Sequence, residues 1–250
     1  MRKFSADDFR GLYYAHRGLY DNYHGIPENS LAAFRRAAEK GYGAEMDVQL
    51  TKDGQVIVFH DDDLDRMCGV SGKIWDRTLA ELQQLRLLDT DETVPLFTDV
   101  LDVLKHGAGP LIIELKTGPR NTELCEKTKA ILDRYPGVFC IESFDPRIVL
   151  WFRLNAPEYI RGQLAHPAEN YAHIVPPRTA ELLAGCCFSR LNRPDFIAYK
   201  IGPRPARVLR MRREGILLIA WTSHDAEKDA QENDSVIFEY CSPLPPLRYE

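Results

Sequence analysis

The chain has 250 residues, of which 44% are hydrophobic, and this is enough apolar material for the core of one enzyme-sized α/β domain spanning residues 1–250. The formal net charge is −5 and both signs are mixed along the sequence, which excludes a strongly basic protein of the kind that binds nucleic acid. We expect no nucleic-acid partner and no stable membrane association, and the oligomeric state is left open. An anionic substrate would have to be attracted by local cations.

The six cysteines show neither a CxxC pair nor the density of a disulfide scaffold, which predicts free thiols in a reducing compartment. Residues 1–10 are polar and charged, and no run of 18 apolar residues occurs, so neither a secretory leader nor a membrane span is predicted. We therefore expect a cytoplasmic protein.

Apolar runs that are typical of strands alternate with helical patterns, which is the order of a parallel α/β fold. Nine runs are predicted as strands: Leu12–Ala15, Ala44–Leu50, Val56–His60, Leu111–Leu115, Val138–Ser143, Tyr159–Leu164, Phe196–Ile201, Ile216–Trp221 and Ser235–Tyr240. An eight-stranded barrel would leave one of them as an accessory strand.

The helical patterns between these runs include Leu31–Lys40, which Asn29 or Ser30 can cap. Residues 61–93 break the alternation after the third strand, and they contain one predicted short helix, Leu79–Leu85. An insertion in this position is expected to overhang the C-terminal ends of the strands and to influence substrate choice.

Charged or histidine side chains recur where the predicted strands end. The positions are His16-Arg17, Glu45, Asp47, His60-Asp61, Glu114, Lys116 and Glu142. Charge is costly to bury in an apolar strand, so its recurrence at strand ends indicates one shared polar site.

Residues two apart on a strand point to the same face, so Glu45 projects with Asp47 and Glu114 projects with Lys116. In neighbouring barrel strands the three carboxylates and the ammonium would converge. Carboxylates at such short distances repel one another unless a cation lies between them. Three carboxylates suit a hard ion such as Mg²⁺ or Ca²⁺ better than zinc, and Mn²⁺ is also compatible.

The chain resembles glycerophosphodiester phosphodiesterases in a series of motifs spread over residues 13 to about 222. The matching segments are Ala15-His16-Arg17-Gly18, Pro27-Glu28-Asn29-Ser30, residues 45–54 (EMDVQLTKDG), residues 59–66 (FHDDDLDR), residues 72–78 (GKIWDRT), residues 81–85 (ELQQL), Val94-Pro95-Leu96, Ile113-Glu114-Leu115-Lys116, Ser143-Phe144-Asp145 and Trp221-Thr222. This resemblance implies a TIM-like (β/α)8 barrel, with a small substrate-shaping insertion after the third strand at about 61–93.

The resemblance also implies residue roles and a reaction. Metal ligands would be Glu45, Asp47 and Glu114; the catalytic acid/base pair would be His16 and His60; phosphate contacts would come from Arg17 and Lys116. The expected reaction is metal-dependent hydrolysis of a small-molecule glycerophosphodiester to glycerol phosphate and an alcohol. The sequence leaves open the headgroup, the preferred metal, the division of labour between the histidines, and whether a cyclic phosphate forms.

Three further residues are weaker candidates for the pocket: Glu142, Lys200 and Trp221. The other five histidines are interpreted as surface or loop residues: His24, His106, His166, His173 and His224.

Two other functions remain open. A lysophospholipase D or a phosphatidylinositol-type phosphodiesterase would act on lipids and would need exposed apolar loops, for which residues 61–93 offer Met67, Val70, Ile74 and Trp75. A non-catalytic metal-binding barrel would be expected to lack a histidine or a carboxylate, and none is missing.

Overall fold

Strands and helices alternate along the chain in the computed structural model, which describes residues 4–105, 107, 109–172 and 174–244. The chain divides into two compact units. One unit is Tyr14–Phe139, and the other combines Met1–Tyr13 with Cys140–Glu250.

All nine predicted strands are present, with ends that differ from the prediction by at most two residues. They are β1 (Tyr13–Ala15), β2 (Gly43–Leu50), β3 (Val56–Val58), β4 (Leu111–Leu115), β5 (Phe139–Ser143), β6 (Arg161–Ala165), β7 (Phe196–Lys200), β8 (Leu217–Ser223) and β9 (Ser235–Phe238). Nearly every strand residue is buried.

The helices lie between the strands. They are α1 (Leu31–Glu39), α2 (Asp65–Cys68), α3 (Leu79–Leu82), α4 (Phe97–Leu104), α5 (Asn121–Leu132), α6 (Pro146–Asn155), α7 (Pro177–Ala184), α8 (Ser189–Asn192), α9 (Ala206–Arg213) and α10 (Ala226–Asp229). Short 3₁₀ segments occupy Ala6–Phe9, Ile74–Asp76 and Ala168–Tyr171.

In the unit Tyr14–Phe139, β2 is the central strand. It pairs in parallel with β1 and β4, and β3 pairs with it antiparallel. Of the two predicted caps for α1, Ser30 is the one used, because its side chain accepts a hydrogen bond from the Ala33 amide. Asn29 is thereby left for another contact, described below.

In the other unit, β5 to β9 form a run of parallel strands in chain order. Gly162 of β6 is in register with Phe196 of β7. The Phe196 ring lies over the glycine so closely that a Cβ at position 162 would be 2.1 Å from its Cε2 atom. Only a residue without a side chain fits beneath this ring.

The predicted fold class is confirmed. Eight parallel strands with intervening helices make a TIM-like (β/α)8 barrel, and the antiparallel β3 is the additional strand outside it. The ninth predicted strand is therefore real but accessory. None of the helices that lie within the described ranges is both long and apolar enough to span a bilayer.

The segment after β3 is more ordered than predicted. It contains α2, the 3₁₀ segment Ile74–Asp76 and α3, where only one helix was expected. Its apolar residues pack against β3 and the following residue Phe59 in a core of their own. Met67 and Ile74, two of the four residues considered for lipid contact, are buried in this core, which removes them from any lipid-facing surface.

The Gly162–Phe196 contact generates a stability prediction. Replacing Gly162 by Ala is expected to lower the free energy of unfolding by roughly 1–3 kcal/mol, because the Phe196 ring must move within a packed core. Urea titration of Gly162→Ala, Phe196→Leu and the double variant measures the coupling, and the double variant should recover part of the loss. Gly118→Ala is the matched control, since no atom lies within 4 Å of its added Cβ. Equal losses at both glycines would contradict the steric argument.

Candidate active site

Three buried carboxylates meet on neighbouring strands of the unit Tyr14–Phe139. Glu45 and Asp47 share one face of β2, and Asp47 is in register with Glu114 of β4. Each carboxylate offers one oxygen, and these oxygens all lie within 4.8 Å of one another. Their exposed fractions are 3%, 1% and 7%, so water screens their repulsion poorly.

Two cations compensate the carboxylates. The Lys116 Nζ atom lies 3.1 Å from Glu114 Oε1 and 3.4 Å from Asp47 Oδ1. The Arg17 Nε atom lies 3.6 Å from Asp47 Oδ2. Three negative and two positive groups leave the cluster formally one charge short of neutrality, as expected for a site that accepts a further cation.

The carboxyl pKa values diverge within this cluster. Burial raises the pKa of Asp47, but the Lys116, His60 and Arg17 charges lower it more, so the net pKa lies well below its ordinary range. Burial raises the pKa of Glu114, and the lowering effect of Lys116 is opposed by the Asp47 charge, so the net pKa is above its ordinary value. Burial lowers the pKa of Lys116, yet Glu114 and Asp47 raise it more, and the ammonium stays charged.

A tight turn after β1 aims Arg17 at this cluster. The Arg17 backbone is left-handed, with φ of 52°, and its amide donates to Glu45 Oε2 at 3.0 Å. Its carbonyl accepts from the Asn29 amide at 2.9 Å, while the Asn29 side chain donates to Asp47 Oδ2 at 2.9 Å. Gly18 continues the turn with φ of 78°, where a Cβ would be 2.9 Å from Ala33.

His16 directly follows β1, and His60 is the second residue after β3. The His16 Nε2 atom lies 3.9 Å from Glu45 Oε2. The His60 Nδ1 atom lies 2.6 Å from Asp61 Oδ1, which fixes the ring and directs its Nε2 edge away from Asp61. His60 is about one-third exposed, whereas the carboxylates are buried, so its ring is reachable from solvent.

Gln49 ties the His60 segment to β2. Its side-chain amide nitrogen lies 2.9, 3.2 and 2.9 Å from the carbonyl oxygens of Phe59, His60 and Asp61, respectively. Gln49 lies on the same face of β2 as Glu45 and Asp47, so one strand carries two carboxylates and also holds the backbone of a histidine. Gln49 lies in the matching segment of residues 45–54, but no role was predicted for it.

A buried glutamate joins two arginines beside the site. The Glu28 carboxylate accepts from Arg17 Nη1 at 2.5 Å and from Arg66 Nη1 and Nη2 at 2.8 and 2.7 Å. Arg66, from α2, also donates to both oxygens of Asp61, at 2.6 and 2.9 Å. Asp61 holds His60, so Arg66 links the supports of Arg17 and His60.

Glu28, Gln49 and Arg66 were missed as functional candidates, although all three stand in the matching motifs, whereas Asp61 was grouped with His60 in the predicted polar site. The sequence does place Glu28 just before the predicted helix caps Asn29 and Ser30. A carboxylate that is buried at this position needs a positively charged or hydrogen-bonding partner. Burial raises the pKa of Glu28, but the hydrogen bonds from Arg66 and the Arg17 charge lower it to about 2. Burial likewise raises the pKa of Asp61, but His60 and Arg66 hold it below its ordinary range.

Comparison with known proteins assigns the chain to a family. The sequence profile of the Glycerophosphoryl diester phosphodiesterase family matches residues 16–237. The chain belongs to this family.

Individual relatives agree with the family assignment. Glycerophosphodiester phosphodiesterase 1 of Bos taurus is 40% identical over 238 residues, which cover 83% of this chain and 70% of that protein. A glycerophosphodiester phosphodiesterase of Caldanaerobacter subterraneus subsp. tengcongensis is 39% identical over 114 residues, and the match spans 43% of this chain and about half, 46%, of that protein. A solved phosphodiesterase of Oleispira antarctica, in complex with the product sn-glycerol-3-phosphate, has a TM-score of 0.77 at 23% identity, covers 97% of this chain and 96% of its own, and shares the fold.

The weaker candidates lie in the other unit. Glu142 is buried in β5, and the half-buried Lys200 and Trp221 are in register on β7 and β8. The Trp221 ring packs edge-on against Phe144, with centroids 5.5 Å apart. These three residues remain candidates for a pocket in this family member.

The five histidines predicted as surface or loop residues differ in how exposed their side chains are. His24 and His224 have exposed side chains, as predicted. His166 lies in the loop after β6, as predicted, but it is half-buried, because its ring packs against Phe144 and Tyr171, with centroids 5.1 and 3.7 Å away. His106 and His173 lie outside the described residues.

A small open cleft adjoins Lys116. Trp75, from the 3₁₀ segment of the insertion, lines it together with Gln49 and Gly118. The insertion thus shares a concave surface with a residue of the carboxylate cluster.

The Glu28 contacts predict a pH-dependent stability difference. Glu28→Gln should lower the free energy of unfolding by about 2 kcal/mol near neutral pH, since charge-assisted hydrogen bonds from Arg17 and Arg66 are lost. Because the folded-state pKa is depressed from 4.5 to about 2, this stabilisation is complete above pH 4.5 and is lost as pH falls through about 2. Urea titrations of both proteins across this range measure the difference. A difference that is constant with pH would contradict the charge argument.

Proposed function

We propose that the chain is a metal-dependent enzyme that hydrolyses glycerophosphodiesters to glycerol phosphate and an alcohol. The observation that carries the proposal is the convergence of Glu45, Asp47 and Glu114 beside Lys116 and Arg17. Membership of the family supports the same reaction. The names of the relatives give no support to the lipid-cleaving alternative, and burial of Met67 and Ile74 leaves the insertion fewer apolar residues for lipid contact.

The three carboxylates are the proposed ligands of a divalent cation. Their oxygens lie close enough to share one ion, all are buried, and the pKa of Glu114 is raised by burial and by the nearby Asp47 charge. An all-oxygen donor set fits Mg²⁺ or Ca²⁺, with Mn²⁺ also compatible. When bound, such an ion would neutralise negative charge that develops on the phosphoryl oxygens.

Arg17 and Lys116 are the proposed phosphate contacts. The Arg17 guanidinium is held by Glu28 through Nη1, which orients the planar group without neutralising it fully, because Glu28 also binds Arg66. Lys116 is kept charged by the two carboxylates that contact it. Both cations can therefore bind a phosphodiester anion that lies next to the carboxylate cluster.

His16 and His60 are the proposed acid/base pair. Asp61 holds the Nδ1 edge of His60 and leaves Nε2 as the atom that exchanges a proton with the substrate. One histidine takes the proton of the attacking water or hydroxyl as its oxygen bonds to phosphorus, the phosphorus–oxygen bond to the alcohol breaks, and the other histidine protonates the leaving alkoxide. The attacking group is water or the neighbouring glycerol hydroxyl; in the second case water then opens a cyclic phosphate, and the net products are the same.

We further propose that residues 1–250 act as one phosphodiesterase domain in which residues 61–93 shape the substrate site. The cleft beside Lys116 supports this role, because Trp75 forms part of its wall. The glycerophosphodiester headgroup is left open. A cytoplasmic location is proposed from the six free cysteines, which are typical of a reducing compartment.

The first functional prediction concerns metal and histidines. Purified enzyme should release glycerol phosphate from glycerophosphocholine, glycerophosphoethanolamine or glycerophosphoinositol with Mg²⁺, Ca²⁺ or Mn²⁺ and lose turnover in EDTA. His16→Ala and His60→Ala should each lower kcat by roughly 10²–10⁴-fold, since each removes a proton-transfer group. Glu45→Gln should abolish the response to metal.

Matched controls separate these effects from general damage. His24→Ala and Glu181→Gln change exposed residues of the same types and should leave turnover unchanged. Calorimetric titration with metal should show binding to the His16→Ala enzyme and none to the Glu45→Gln enzyme. Full turnover in EDTA, or by either histidine variant, would overturn the proposed mechanism.

The second functional prediction concerns the insertion. Trp75→Ala should change KM differently for the three headgroups, by several-fold, while kcat for the best substrate changes little, because Trp75 lines the cleft without touching the carboxylates. Steady-state kinetics on all three substrates measures this split. Trp75→Phe keeps an aromatic wall and should stay near the wild-type ranking. A uniform loss of kcat on every substrate would indicate a structural role instead.

A further inference from the structure

A basic surface stands out in a chain that is acidic overall. Residues 186–215 contain seven arginines and one lysine but only two acidic residues, while the whole chain has a net charge of −5. The net charge of the whole chain does not reveal this local excess of arginine. The segment includes α8, β7 and α9, and β7 itself is buried apart from Lys200, so the arginines belong to the helices and loops.

The face of α9 that points outward is mixed. Val208 and Met211 are buried, which sets the inner side of the helix. At 100° per residue the opposite side carries Leu209, Arg210 and Arg213, and Leu209 is 43% exposed. An exposed leucine between two arginines is unlike the polar outer face of an ordinary surface helix.

Two neighbouring helices extend this surface. Arg207 of α9 donates to the Ser189 hydroxyl of α8 at 3.0 Å, and Arg153 of α6 donates to the Leu191 carbonyl of α8. These contacts place α8 next to both α9 and α6. Leu191 of α8 is 59% exposed, and Leu154, which follows Arg153 in α6, is 68% exposed. We call the outward residues of this region the arginine–leucine surface: Leu154, Arg190, Leu191, Arg193, Leu209, Arg210 and Arg213.

Within the described residues, three of the four arginines of this surface have no carboxylate partner. Arg210 pairs with Glu214 at 3.8 Å on the helix surface. Arg190, Arg193 and Arg213 form no ion pair with any residue in the described parts of the chain. Arginines without carboxylate partners, next to exposed leucines, combine attraction for anions with affinity for an apolar phase.

A partner for this surface must offer both anionic groups and an apolar phase. Nucleic acid would satisfy the charges but not the leucines, and neither α8 nor α9 carries an aromatic residue for base stacking. A bilayer with anionic headgroups attracts the arginines and accepts the leucines at the acyl boundary. We propose that the arginine–leucine surface binds reversibly to membranes that contain anionic phospholipid. The proposal concerns where the protein works and is independent of its substrate.

Vesicle co-sedimentation of the full chain tests the proposal. Binding is expected to phosphatidylglycerol–phosphatidylcholine vesicles, to be weak with phosphatidylcholine alone, and to fall at high salt. The variant Arg190→Gln/Arg193→Gln/Arg213→Gln should reduce the partition coefficient roughly 100-fold, given the contribution expected of each arginine near an anionic surface. Leu191→Ser/Leu209→Ser should reduce it about tenfold without changing the charge.

A charge-matched control tests whether vesicle binding depends on this surface or only on the total charge of the protein. Arg35→Gln/Arg134→Gln/Arg178→Gln removes three exposed arginines elsewhere and should keep wild-type binding. Circular dichroism melts establish that every variant is folded, and no measurement uses turnover. The proposal is overturned by equal loss in the two arginine variants, by equal binding to uncharged vesicles, by absence of vesicle binding at low salt, or by retention of the protein on immobilised RNA without vesicle binding.

Discussion

Three carboxylates confined to one buried volume are the constraint on which this site depends. When like charges lie so near to one another in a poorly screened environment, they must be compensated by opposite charges, neutralised by protonation or moved apart. The chain compensates them by placing Lys116 and Arg17 among them, and burial leaves Glu114 with a raised pKa. The three carboxylates and two cations therefore retain a formal charge of −1, which a bound cation would offset.

The compensation extends outward as alternating charges. The carboxylates contact Arg17, Arg17 contacts Glu28, and Glu28 contacts Arg66. Arg66 then contacts Asp61, which holds His60, so the series returns to a residue proposed for proton transfer. Each charged side chain in this series contacts one of opposite charge, so the partly buried groups can remain ionised. The insertion contributes Arg66 and is thus part of the support of the site.

Much of this could be predicted from sequence because strand periodicity is local. Alternation alone places Glu45 with Asp47 and Glu114 with Lys116, and the chain order of βα units predicts the barrel. The accessory nature of β3 could not be identified, since its apolar residues look the same in either direction of pairing. Only the observed hydrogen bonds establish that it runs antiparallel to β2.

The supporting contacts could not be predicted because they depend on three-dimensional proximity between distant residues. Asn29 and Ser30 are equally good caps in sequence, and the choice follows from the Arg17 turn, which brings Asn29 to Asp47. The half-buried state of His166 likewise depends on Phe144 and Tyr171 packing around it. Every residue of the alternating series lies within residues 14–139, and the arginine–leucine surface lies wholly within residues 140–250. No side chain is common to both, so codon changes in a few surface arginines could alter the surface in one lineage and leave the proposed catalytic side chains unchanged.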